Sequence, residues 1–224
     1  MSLSKCVGRI EPSITLAISA KAKAMKTEGI DVIGLSAGEP DFDTPDHIKQ
    51  AGIRAINEGV TKYTPASGTP ALRKAVAEKF MNENGLSYKP EEIIIGCGAK
   101  HSVFTAVMAL VDEGDEVIIP TPYWVSYPEM VKAAGGTPVI VETTAESELK
   151  LTAGQLRSAI TPKTKLLILN SPSNPSGMVY TRAELEALAG VLSGSDVYVI
   201  SDEIYEKILY DGATHHSIAA LDPE

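Results

Sequence analysis

Four short segments carry most of the residues with chemical potential. Ser201-Asp202-Glu203-Ile204-Tyr205 follows an apolar run near the end of the chain. A carboxylate at a buried strand end is costly unless a partner bonds it. A protonated pyridine nitrogen would be such a partner; capping of a following helical turn is the plainer alternative. Tyr205 would face the same place if a helical turn begins there. Gly96-Cys97-Gly98-Ala99-Lys100-His101-Ser102 runs from another apolar stretch straight into a helical pattern. Glycines let the backbone approach an anion, and a helix N-terminus offers unpaired N–H groups, with Lys100 adding charge. A tight strand–helix turn explains the same residues. A dinucleotide fingerprint does not, because His101 takes the place of the third glycine and Ile118-Ile119 lead into Pro120 instead of an acidic residue.

The other two segments are rigid loops. Pro120-Thr-Pro-Tyr-Trp124 holds the only tryptophan, placed either to stack on a planar ligand or to pack locally. Asn170-Ser-Pro-Ser-Asn174-Pro-Ser-Gly177 presents the Asn174 amide from a backbone restrained by prolines, although such residues also build ordinary turns. His215-His216 has no accompanying ligand pattern and reads as surface, as do Glu146 and Glu148.

These segments need elements to position them. Apolar runs at Ile93–Ile95, Val117–Ile119, Pro138–Val141, Leu166–Leu169 and Val197–Ile200 predict five strands. Helical spacing predicts helices between them at Ser102–Val111 and Tyr123–Ala134. Thr152…Gln155 and Thr181…Glu184 are capping boxes that open two more. Ahead of the strands, helices are expected from Ser13 to Glu28, stopping at Gly29, from Pro45 to Glu58, and from Thr69-Pro70 to Asn84, stopping at Gly85. Alternating strands and helices give an α/β fold, a three-layer arrangement around a mostly parallel sheet. Chemistry in such sheets sits beyond the carboxyl ends of the strands, where the four segments fall.

Composition agrees. With 44% apolar and 22% charged residues, the chain can bury a real core. A net charge of −9 argues against nucleic acid or an anionic membrane as partner. No apolar run approaches the roughly 18 residues of a membrane span, and Cys6 and Cys97 show no paired spacing. Reduced thiols and a cytoplasmic location are expected.

Taken together and in order, these loops resemble fold-type I pyridoxal-phosphate-dependent aminotransferases, and within them the bacterial aspartate aminotransferases. Ser36-Ala-Gly-Glu-Pro-Asp-Phe-Asp-Thr-Pro45, Thr61-Lys-Tyr-Thr-Pro65 and Pro122-Tyr-Trp-Val-Ser-Tyr-Pro-Glu129 extend the likeness over essentially the whole chain. The resemblance implies that residues 1–45 form an arm and helix of a small domain and 46–224 an incomplete cofactor-binding domain. It implies pyridoxal 5'-phosphate held by Gly98, Ala99, Lys100, Trp124, Asn174, Asp202 and Tyr205, with Tyr63 reaching the neighbouring subunit's cofactor in a homodimer. Asp202 and Tyr205 would be the catalytic residues present. Gly38, Trp124, Asn174, Thr15 and Lys100 would contact substrate. The implied substrates are L-aspartate or a similar amino acid and 2-oxoglutarate; prephenate-type and aromatic substrates share these loops.

His101 departs from a common glutamine and Ser176 from a common threonine. In the family, the lysine that forms the Schiff base lies beyond the Asp…Tyr loop, so the isolated chain is expected to be inactive and to belong to something longer. A lyase or synthase of the same fold, and a purely structural module, are the competing readings.

Overall fold

The computed structural model describes residues 4–12, 14–35, 38 and 42–221. Ser13 and the Ser36, Ala37 and Glu39–Asp41 part of the turn-rich motif lie outside them. By internal contacts the chain forms two compact units, Pro12–Ala66 and the rest. The sequence-derived boundary between residues 45 and 46 falls inside the first of these.

The Pro12–Ala66 unit holds α1 (Ile14–Thr27) and α2 (Asp46–Asn57). The chain leaves α1 through Gly29 at φ 82°, a left-handed conformation that costs a glycine little. None of the unit's described residues is buried, and Ile48, Ile53 and Ile56 of α2 are exposed.

In the other unit, Thr69 caps α3 (Pro70–Lys79), with proline at the first turn, and a π-helical turn (Phe80–Asn84) carries it to Gly85. Then come α4 (Ala99–Leu110), β1 (Glu116–Pro120), α5 (Ser126–Ala134), β2 (Thr137–Val141), α6 (Ala153–Ala159), β3 (Thr164–Asn170), α7 (Arg182–Leu192) and β4 (Tyr198–Asp202). Both capping boxes form as expected: the Thr152 and Thr181 hydroxyls accept from the Gln155 and Glu184 N–H groups, and those side chains bond back.

The sheet is parallel, in the order β2-β1-β3-β4. Alternate strand residues feed two cores. Val117, Ile119, Leu166 and Ile168 pack with Val103 and Val107 of α4 and Tyr127, Met130 and Val131 of α5. Ile118, Leu167 and Leu169 pack on the other face with Leu156 of α6 and Leu185 and Leu188 of α7. The outcome is the expected three-layer α/β/α arrangement, covered on both faces as a parallel sheet requires.

One strand expectation is corrected. Ile93–Ile95 forms no strand: the Ile95 N–H donates to the Ser67 carbonyl, and Ile94 is exposed. An apolar run becomes a strand only where a ladder partner lies beside it, which composition cannot report. No helix among the described residues is long and apolar enough to cross a membrane.

Leu188 is wholly buried between α7 and the sheet. Leu188→Ala should lower the unfolding free energy by about 2–5 kcal/mol, read from urea denaturation.

Candidate functional site

The site assembles at the carboxyl ends of β1, β3 and β4, beside the point where the strand order reverses: β1 connects to β2 on one side, and β2 connects back across β1 to β3 on the other. Asp202 ends β4 and is buried. Register pairs it with Asn170, the last residue of β3. Its Oδ2 accepts the Tyr127 hydroxyl at 2.7 Å, and its Oδ1 accepts the Ile204 N–H at 3.2 Å. Burial and the Asp202 charge push the Tyr127 phenol far above its ordinary value, so Tyr127 acts as a donor.

The loop after β3 hangs from the same place. The Ser171 N–H and the Asn170 amide both donate to the Asp202 carbonyl, at 3.1 and 2.9 Å. The Asn170 side-chain oxygen accepts the Asn174 N–H at 2.7 Å. The Asn174 amide thereby comes 3.4 Å from the Tyr205 hydroxyl, which sits on a turn just past β4. Two of the sequence-selected side chains thus meet across 31 residues of chain.

Trp124 stands in the loop after β1, ahead of α5, and Tyr127 meets its ring edge-on at 5.4 Å and 87°. The Lys100 ammonium lies 4.9 Å from the centre of the same indole, within cation–π range. Lys100 and Ala99 open α4 directly after Gly98, a residue at φ 88° with no side chain to cap the helix. Lys100, Trp124, Tyr127 and Asp202 therefore form a continuous series of contacts from the α4 N-terminus to the end of β4. Thr15, Gly38 and Tyr63 belong to the Pro12–Ala66 unit: Thr15 lies on α1, half-buried, and Gly38 and Tyr63 are exposed.

Tyr127 was not selected from sequence, although it follows Trp124 by three residues, a spacing that puts two helical side chains on one face. Its partner is 75 residues away, and nothing local announces it.

The His215 expectation is corrected. Its side chain is only 9% exposed, and its Nε2 lies 2.9 Å from Glu203 Oε2. The hydroxyls of Ser201 and Ser217 both donate to Glu203 Oε1 at 2.7 Å. Burial alone would raise the Glu203 carboxyl, but bonds from His215, Ser201 and Ser217 hold it below its ordinary range.

Glu203, Glu206 and His215 bring possible metal-ligating atoms within 4.8 Å of one another. Both carboxylates already have protein partners, however, since Glu206 takes donors from Lys79 and Asn84. The cluster thus reads as a bonded network behind the strand end.

Glu148 is likewise not free: it and Glu184 each reach the buried Lys150 ammonium at 2.7 Å. Burial would depress that ammonium, but the two carboxylates hold it above its ordinary value.

The parallel sheet and the loops at its carboxyl edge define an α/β protein with a candidate site at its strand ends, and comparison with known proteins narrows this. The family profile "Aminotransferase class I and II" matches residues 30–224, and the chain belongs to that family. It is 58% identical over 224 residues to an aspartate aminotransferase of Geobacillus stearothermophilus, covering 100% of this chain and 57% of that protein. It is 51% identical over 222 residues to the aspartate/prephenate aminotransferase of Thermus thermophilus, covering 99% and 57%. A solved aspartate aminotransferase from Thermus thermophilus with maleate superposes with a TM-score of 0.96 at 51% identity, over 100% of this chain and 58% of that one. The chain thus spans a little over half the length of the relatives it matches.

Two outcomes are expected here. Tyr127→Phe should cost roughly 1–3 kcal/mol in chemical denaturation, because a buried carboxylate oxygen loses its donor. Glu203→Gln should be less stable than the natural protein above pH 4.5, the ordinary value of a glutamate. A carboxyl depressed on folding contributes above its unfolded pKa, and that contribution is lost as pH falls through the folded one. The gap should therefore close on acidification below pH 4.5, as read from urea midpoints across pH.

Proposed function

We propose that this chain binds pyridoxal 5'-phosphate and forms part of an aminotransferase that moves the amino group of L-aspartate, or a similar acidic amino acid, to 2-oxoglutarate. The observation that carries this reading is the buried Asp202 carboxylate, oriented by Tyr127 at the sheet's carboxyl edge beside the Asn174–Tyr205 pair. The donor set fits the cofactor group by group. A carboxylate suits a protonated pyridine nitrogen, an indole suits the ring face, an amide and a phenol suit the phenolic oxygen, and an uncapped helix start with a lysine suits a phosphate monoester.

When bound, the cofactor supplies an electron-accepting ring that stabilises negative charge at the substrate Cα. Asp202 holds the proton at the pyridine nitrogen, and Tyr127 keeps that carboxylate aimed. Trp124 limits ring tilt and excludes water from one face. Asn174 and Tyr205 donate to the phenolic oxygen, and Asn174 also serves the substrate carboxylate. The N–H groups of Ala99 and Lys100 take the phosphate. The Lys100 ammonium admits an acidic side chain, and Gly38 and Thr15 are further substrate contacts proposed from the family resemblance alone.

Tyr63 reaches the phosphate of the neighbouring subunit's cofactor, which makes the working unit a homodimer, located in the cytoplasm. Relatives named for aspartate and for prephenate support an acidic or prephenate-type substrate.

The test is Asp202→Ala in the intact protein. Turnover of aspartate should fall by about 10²–10³, the range for losing one preorganised electrostatic contact to developing charge. The circular dichroism induced in added pyridoxal 5'-phosphate should change shape while binding persists. Turnover close to that of the natural protein would sink the assignment of Asp202.

A further inference from the structure

The start of α4 is built unlike the threonine-capped starts of α3, α6 and α7. At α6 and α7 the N-cap threonine oxygen occupies the N3 N–H, and the N3 side chain bonds back to the N-cap N–H. At α4 the N-cap is Gly98, whose φ of 88° strains any residue with a side chain, so the forward half of the box is missing. The backward half survives one position earlier. His101, the third residue of the helix, accepts the Cys97 N–H on Nδ1 at 3.0 Å.

The remaining donors sort themselves accordingly. The His101 and Ser102 N–H groups go to the Gly98 carbonyl, at 3.1 and 3.2 Å. No described hydrogen bond engages the N–H of Ala99 or Lys100. The loop is also folded tightly onto these side chains: a Cβ on Gly96 would lie 2.3 Å from Ser102 Oγ and 3.4 Å from His101 Nδ1.

We propose that His101 is a positioning residue for phosphate binding: by holding the Cys97 N–H it fixes the Gly96–Gly98 turn, while the glycine N-cap leaves the first two helical N–H groups for a phosphate monoester. A serine or aspartate cap would stabilise the helix but bring its own oxygen to the N2 or N3 N–H, next to the donors left for the phosphate. His101 restrains the turn from behind and leaves them open. The acceptor role places the ring proton on Nε2, and a side chain that only donates cannot replace it. Glutamine can, since its Oε1 accepts.

This inference rests on the reading that the Gly98–Lys100 turn takes the cofactor phosphate, and the test separates the two. Apo forms of the intact natural protein, His101→Ala and His101→Gln are titrated with pyridoxal 5'-phosphate and with pyridoxal, following induced circular dichroism. His101→Ala should bind pyridoxal 5'-phosphate roughly 2- to 12-fold more weakly, the range for one net hydrogen bond. Its pyridoxal affinity should be unchanged, and His101→Gln should restore the phosphate form. Equal losses for both ligands would reduce His101 to a structural residue, and unchanged binding in His101→Ala would overturn the proposal outright. If the natural protein binds pyridoxal as tightly as its phosphate, the phosphate reading itself fails and this inference with it.

Discussion

A carboxylate at the end of a buried parallel strand must be compensated where it stands, and the site is organised around that requirement. Asp202 has lost most of its water, and an uncompensated buried charge would cost several kcal/mol. The Tyr127 hydroxyl meets it at 2.7 Å. For that bond to form, α5 must lie against β1 and β3 in the core that also holds Val107 and Ile168. The same packing stands Tyr127 edge-on to Trp124 and brings Trp124 under the Lys100 ammonium. Electrostatic need and aliphatic packing thus select one placement of α5. The Asn170–Asp202 register adds the third loop, because Asn170 bonds both the Asp202 carbonyl and the Asn174 N–H.

The period-two geometry of β4 sends the neighbours of Asp202 to the opposite side of the sheet. There Ser201 and Glu203 meet Ser217 and His215, so the segment after β4 is tied down independently of the site face. Lys150 plays a comparable part below the loop after β3: its carboxylate partner Glu184 also closes the capping box of α7. These buried, multiply bonded groups differ from the exposed pairs such as Lys74–Glu78, a class that contributes little to stability.

Membership in the class I and II aminotransferase family and the 0.96 superposition place these loops in a known architecture. What this chain contributes to it is the carboxylate, indole, amide, phenol and uncapped helix start, supplied from four segments, with the carboxylate and the phenol sharing the one at the end of β4. No connection is a convincing site alone. Their meaning comes from convergence, which a parallel sheet enforces by delivering every strand to the same edge.

The amino-acid sequence by itself determined what depends on near neighbours. Capping boxes at Thr152 and Thr181, the glycine stops at residues 29 and 85 and the alternating elements all follow from interactions within a few residues, and the structure contains them. The loops with Gly98, Trp124, Asn174 and Asp202 were legible because their residue types are unusual for plain turns. Only the tertiary structure decided matters that depend on distant partners. Ile93–Ile95 has the composition of a strand but bonds to Ser67 and joins no ladder. His215 reads as a surface residue until Glu203 lies beside it, and Tyr127 reads as an ordinary helix residue until β4 delivers Asp202. Local propensity is a property of a segment, whereas a hydrogen bond spanning 75 residues exists only once the sheet has ordered its strands.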